Sequence, residues 1–542
     1  MGRRHVLVVL LALLVGSAAL AQPGSSARQE GEIFRVVYSP AAGLDFLDPA
    51  LAFTQPAWSL LDTTCARLYT YPDEPSPASF RVVPEVAASY DVSPDFKTYT
   101  FRLRTGFRFS DGKPVRASAF AQAINRALAP VDSPGWVYVR DIVGAQDVHA
   151  GRRSTASGVV ARGDTLVVRF ERPAPDFVTR TTLPYLCAVP PGLQPSEEGA
   201  GVIPSAGPYH VTEYRPGERI EIRRNPYYGG RRTVQLDGFD VNLRGGSPTD
   251  MVRSVDRGDA DWGHMLASIY MDSTLDLVRK YGIDRSRFFV KQGLTLRLLA
   301  LNSRRPLFRN NPRLRRAVNL AVDRSALLPN AGGPIAARLT DQHLPYVIPG
   351  FRDAAIYPLD GANLAKAEEL AGGRLRGKKA VLLTTEFALP KQAAQLAAQQ
   401  LARLGLEIEI RTIPDHIASA EYLEKLTAPG AEWDIALVLW TPNVPDAYAY
   451  LHLLIESQQL GGETLTRVRS KLVRAAMQRA VRLPQGRERN QAFATVDAML
   501  ARDVAPVVPL NVVNEATLVS DRVAPRCIVL RPVLDLAVAC LK

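Results

Sequence analysis

Apolar and polar residues alternate over 98–103 in the order Thr, Tyr, Thr, Phe, Arg, Leu, and this period of two predicts a strand with one buried face. Gly106 ends the run. Phe107 and Phe109 then share one side of a second, shorter extended stretch. Asp111-Gly112 signals a tight turn, and Pro114 fixes the way out of it. The period changes next. Phe120, Ala123, Ile124, Ala127 and Leu128 recur at helical spacing, with Ser118 placed to cap the helix.

The same reading predicts strands over 33–38, 165–170, 220–224, 294–301, 433–440 and 506–513. It predicts helices over 58–68, 251–257, 312–327, 364–371, 467–482 and 487–500. A strand over 381–385, a helix over 391–404 and a strand over 406–413 make a strand–helix–strand unit, which favours parallel pairing. The fold class is α/β. The Pro-rich stretch 71–77 reads as a loop between lobes.

A chain of 542 residues exceeds what one core holds, so several lobes are expected. The first residues stand outside the fold. Arg3 and Arg4 precede an apolar run over 6–14, and Ala19-Leu20-Ala21 offers small residues before Gln22, the pattern of a secretory signal peptide over 1–21. An uncleaved anchor is the competing reading. No Cys follows the apolar run, so no lipid anchor is expected there, and 22–30 reads as a linker. No second run reaches membrane-spanning length, so the body is expected to be exported.

The net charge of +12 is spread among scattered arginines, with only 11 lysines in 66 basic residues. Without a basic patch interleaved with aromatics, nucleic acid is not an expected partner. In an exported protein the four cysteines are expected to form disulfides, with three possible connectivities. Cys527 and Cys540 flank a short segment and are expected to pair, which leaves Cys65 with Cys187.

The segment FKTYTFRLRTGFRFSDGKPVRASAF resembles the most recognisable stretch of the peptide-binding proteins that feed ABC importers, "DGKTYTFKLRKGVKFSDGTPVTAEDF". That family also contains nickel, haem and sugar binders. The resemblance continues through Leu47-Asp48-Pro49, Gly207-Pro208-Tyr209, Arg224-Asn225-Pro226-Tyr227-Tyr228, Gly258-Asp259-Ala260-Asp261, and the run from Leu301-Asn302 to Val322-Asp323-Arg324. It implies a periplasmic-binding-protein fold with two main lobes joined by a hinge, plus an accessory lobe. The expected division is 31–75, 204–293 and 511–542 in lobe I, 76–203 in accessory lobe II, and 294–510 in lobe III. It implies a receptor that hands a solute, expected to be a peptide, to the permease subunits of an ABC importer. It implies a monomer without a cofactor.

No nucleophile elbow, zinc-protease helix or phosphate loop is present, and the histidines, among them His149, His210, His264, His343, His416 and His452, show no metal-ligand spacing. Asp259 and Asp261 read as a turn-capping pair rather than a metal site. The resemblance places ligand contacts at Phe53, Thr54 and Gln55, after the LDP motif, and at Trp440, Asn443 and Asp446. The family carries Asp where this chain has Asn443, and that Asp pairs with the ligand's α-amine. A neutral Asn cannot neutralise an ammonium. Asp446 then either takes over that role or is an ordinary turn residue. A non-peptide solute such as a sugar or metal chelate, a surface sensor, and an exported hydrolase remain the alternatives.

Overall fold

Alternation over 98–103 does produce a strand, and its buried Tyr99, Phe101 and Leu103 anchor one of the protein's cores. The computed structural model describes residues 32–38, 44–75, 78–129, 131, 133–266, 271–386, 388–414, 422, 425–442, 444–455, 465–468, 470–528 and 536–542. The signal peptide and linker expected over 1–30, and Asn443, lie outside the described residues.

The chain opens with β1 (Ile33–Val37) and helix α1 (Gln55–Thr64). It leaves for a short pair, β2 (Tyr69–Thr70) and β3 (Val83–Pro84). A four-stranded antiparallel sheet follows, β4 (Ala87–Val92), β5 (Thr98–Leu103), β6 (Val159–Arg162) and β7 (Thr165–Arg169), in spatial order β4-β5-β7-β6. Helix α2 (Ala117–Leu128) covers it with an apolar face. The chain then returns to β1 through β8 (Tyr209–Arg215), β9 (Arg219–Arg224), β10 (Gly238–Asn242) and β11 (Trp262–Leu266). Between the last two, the helix Pro248–Arg257 starts with a capping box. The Ser247 hydroxyl accepts the Asp250 N–H at 3.2 Å, and the Asp250 carboxylate accepts the Ser247 N–H at 3.0 Å.

Two long strands tie this half to the other, β12 (Phe288–Leu301) and β17 (Val507–Val519), which are antiparallel neighbours. Between them in sequence come β13 (Ala337–Leu339), β14 (Lys378–Thr385), β15 (Leu406–Ile413) and β16 (Ile435–Trp440). Together they make an 11-stranded sheet, β15-β14-β16-β12-β17-β11-β1-β10-β9-β8, with β13 beside β17. The β14–helix–β15 unit is parallel, as its pattern predicts.

Several expected elements shift, each for a visible reason. The helix expected over 58–68 begins at Gln55, where Pro56 occupies the first turn without needing its N–H, and it ends at Thr64. The helix expected from Ser118 starts at Ala117 with Arg116 in the cap position. Its Ala117 N–H donates to the Gly163 carbonyl at 3.2 Å, so a neighbouring loop serves one N–H of the first turn and Ser118 lies inside it. The helix expected over 312–327 breaks into Pro312–Ala321 and Arg324–Leu327. Asp323 intervenes and caps the second piece by accepting the Ala326 N–H at 3.0 Å. The strands expected over 294–301 and 506–513 each run about six residues further toward β11, past polar residues that interrupt their apolar pattern.

Both expected disulfides are present, Cys65–Cys187 and Cys527–Cys540, with Cα atoms 5.6 and 5.8 Å apart.

Candidate ligand-binding site

The loop before α1 is organised by one carboxylate. Asp45 accepts the backbone N–H groups of Phe53 at 2.6 Å and Thr54 at 3.1 Å, and the Thr54 hydroxyl at 2.8 Å. Thr54 is therefore committed to the loop. Phe53 and Gln55 are exposed, Phe53 by 42%, and they are the side chains of this strip that face solvent.

Just upstream, Asp48 is fully buried. Both its oxygens meet the Arg126 guanidinium of α2, at 2.8 and 2.6 Å, and it also accepts the N–H groups of Ala50 and Ala200. The LDP motif thus anchors the loop to the accessory lobe, a role sequence reasoning missed because Arg126 lies 78 residues away. Asp261 works in the same way on β1 itself. It accepts from the backbone and side chain of Arg35, from the Ser520 hydroxyl at 2.8 Å and from Arg522 at 3.1 Å. It is a joint between strands. Asp259, its neighbour in the motif, instead pairs with Arg257 on the surface.

The second strip follows β16. Trp440 is buried in the core with Tyr448, Tyr450 and Leu451, and its indole N–H has no partner among the described residues. Thr441 shares a hydroxyl hydrogen bond with Thr295 of β12 at 2.7 Å. Val444 packs into the core of the accessory lobe, so this loop touches that lobe too. The Asp446 carboxylate meets Arg489 at 2.9 and 3.2 Å and accepts the Tyr448 N–H at 2.9 Å at the start of the helix Ala447–Ile455. Its charge is compensated and its geometry is that of a helix cap. Leu439, by contrast, is 56% exposed at the end of a central strand.

Beside the second strip, on the strand next to β16, lies the crossing of β12 and β17. Their register breaks between Gln292 and Leu296, and again between Arg297 and Leu298. Such bulges bend and twist a strand pair locally. Along β12 one face carries Phe289 into one core and Leu299 and Leu301 into another, with Lys291, Gly293, Thr295 and Arg297 between them. The middle of that face is polar where both ends are apolar. Arg297 and Glu515 belong to it, and both were missed by sequence reasoning. The available signal was a charge interrupting an apolar strand, in LTLRLLAL and in NVVNEATLV.

The sequence pattern described as Bacterial extracellular solute-binding proteins, family 5 Middle, matches residues 81–462. The probable D,D-dipeptide-binding periplasmic protein DdpA of Escherichia coli strain K12 is 22% identical over 440 residues, 79% of this chain and 78% of that protein. The probable deoxycholate-binding periplasmic protein YgiS of the same strain is 24% identical over 453 residues, covering 79% and 80%. Among solved structures, clavulanic acid biosynthesis oligopeptide binding protein 2 superposes with a TM-score of 0.80 at 22% identity, over 91% of this chain and 92% of that one, which establishes a shared fold. With the family pattern running across most of its length, the chain belongs to the bacterial extracellular solute-binding proteins of family 5.

Proposed function

We propose that this protein is the exported receptor of an ABC importer, capturing a peptide between two lobes and delivering it to membrane permease subunits. The observation that carries the reading is the β12–β17 crossing. Two strands serve a core at each end, and their register breaks in the middle, where a hinge must bend. The lobe division expected from the sequence places its boundaries at 293/294 and 510/511, within these two strands. The contact strips are Phe53–Gln55 on one side and the segment from Leu439 to Asp446 on the other. A peptide there would be held by main-chain hydrogen bonds and tolerant side-chain pockets. DdpA, a probable D,D-dipeptide binder, supports a peptide, and YgiS, a probable deoxycholate binder, marks a non-peptide solute as the alternative.

Native mass spectrometry of the purified protein, followed by small-angle scattering with the ligand recovered from it, tests this reading. A peptide should co-purify and be released chemically unchanged. Adding it back should reduce the radius of gyration and raise the melting temperature, because only the folded state binds. A ligand that binds without compaction would argue for a rigid scaffold, and a cleaved product for a hydrolase.

A further inference from the structure

The polar middle of the hinge face holds two ionisable side chains that no charge among the described residues compensates. Arg297 is only 9% exposed, yet it makes no hydrogen bond or ion pair among the described residues. Burial without a partner pushes its guanidinium down to about 10, so it stays charged at neutral pH. Asn511, directly opposite on β17, is 1% exposed, and its side-chain oxygen is also unpartnered. Glu515 is the acidic counterpart. Its Oε2 is sealed from solvent with no hydrogen-bond partner among the described residues, and desolvation alone pushes its carboxyl up to about 7.

Local geometry makes room for the acid and gives neither group a counter-ion across the ladder. A Cβ on Gly293 would come within 3.1 Å of the Glu515 Cγ and Oε1, so the missing side chain there makes room for the carboxylate. Lys291 faces Glu515 across the ladder, but its ammonium is given to Asp284 at 3.0 Å. The obvious internal counter-ion is thus turned away. Arg297 likewise faces exposed Leu439 of β16 rather than an acid. Burying an unpaired ion is costly, and a protein that tolerates two of opposite sign at its hinge is arranged to have them paired from outside.

We propose that Arg297 and Glu515 form a split ionic clamp for a dipolar peptide, with Arg297 receiving its carboxylate and Glu515 its ammonium. This rests on the peptide reading above. Four residues of β17, roughly 13 Å of strand, separate Asn511 opposite Arg297 from Glu515. An extended peptide covers that span in about four residues. The clamp also gives the ammonium a partner that neutral Asn443 cannot supply and that Asp446, already paired with Arg489, does not offer. Lobe closure over the hinge would bring the partners together and exclude water from both pairs.

The test uses the full mature chain and three synthetic pools of tripeptides and tetrapeptides, one with both termini free, one N-acetylated and one C-amidated. Retained peptides are read by native mass spectrometry. The free pool should be retained about ten-fold or more over either capped pool. Glu515→Gln should erase the discrimination against acetylated peptides only, and Arg297→Gln that against amidated peptides only. Glu515→Asp and Arg297→Lys should keep most of it, which also covers the case in which a glutamine variant fails to fold. Without ligand, the glutamine variants should melt at or above the parent temperature, because the charge removed has no internal partner. Equal retention of free and capped pools would overturn the clamp and leave the peptide reading standing. So would variants that change nothing, or that lower the ligand-free melting temperature. Retention of no pool would overturn the peptide reading itself, and the clamp with it.

Discussion

Two regions of this protein bury ionisable side chains, and they treat them in opposite ways. At the junction of α1 with the accessory lobe the buried acids face buried arginines. Asp48 holds Arg126 with two short bonds, and Asp62 and Glu85 share Arg67 and Arg232, beside the Cys65–Cys187 disulfide. At the hinge, Arg297 and Glu515 have no partner among the described residues. A paired buried ion holds two elements in a fixed relation, because separating it strands a charge in a poor solvent. An unpaired one does the reverse and leaves the site waiting for a partner. The first region reads as a rigid joint and the second as a movable one.

The largest effect is expected at the joint. Asp48→Ala removes the acid and leaves Arg126 buried without its partner, and it should cost about 3–5 kcal/mol of unfolding free energy in urea titrations. A loss under about 1 kcal/mol would mean that water or a rearranged loop replaces the pair. Next in size is the disulfide beside it. Replacing Cys65 and Cys187 together by Ala opens a loop of 122 residues and should cost about 3–5 kcal/mol, or less if the unfolded chain keeps structure. Equal stability of the oxidised and reduced protein would show that the buried ion network holds the joint without it.

The hinge should show a smaller effect with its own pH signature. Glu515 has its carboxyl raised from the ordinary 4.5 to about 7, so over that window the folded protein keeps a proton that the unfolded chain has lost. Its contribution is complete below about pH 4.5 and disappears as the pH rises through about 7. In the absence of ligand, stability should therefore fall by about 3 kcal/mol across that range. Glu515→Gln should flatten the profile by that amount, as read by denaturation midpoints in matched buffers. An unchanged profile would mean that the carboxylate is solvated and that the two regions differ less than their geometry indicates.

Much of the architecture was legible because local patterns reflect local burial. The strand over 98–103, the helix over 364–371 and the parallel unit over 378–413 stand where apolar periodicity put them. The candidate contacts were less legible. Nothing near Thr54 signals that its hydroxyl belongs to Asp45, and nothing near Asp446 signals Arg489, 43 residues on. The hinge was hidden for a related reason. Polar residues that interrupt a strand pattern read as its end, and here β12 and β17 continue through them.

The α/β class, the two cysteine pairs and the family can be read along the chain, because periodicity, spacing and motif order are carried by linear order. Only the tertiary structure decided which charges are satisfied. An ion's partner comes from wherever the chain returns, 78 residues away for Asp48 and 226 for the Asp261–Arg35 joint, and no partner returns to Arg297 or Glu515 among the described residues. The cost of a buried charge is set by what surrounds it in space, and linear order does not carry that information.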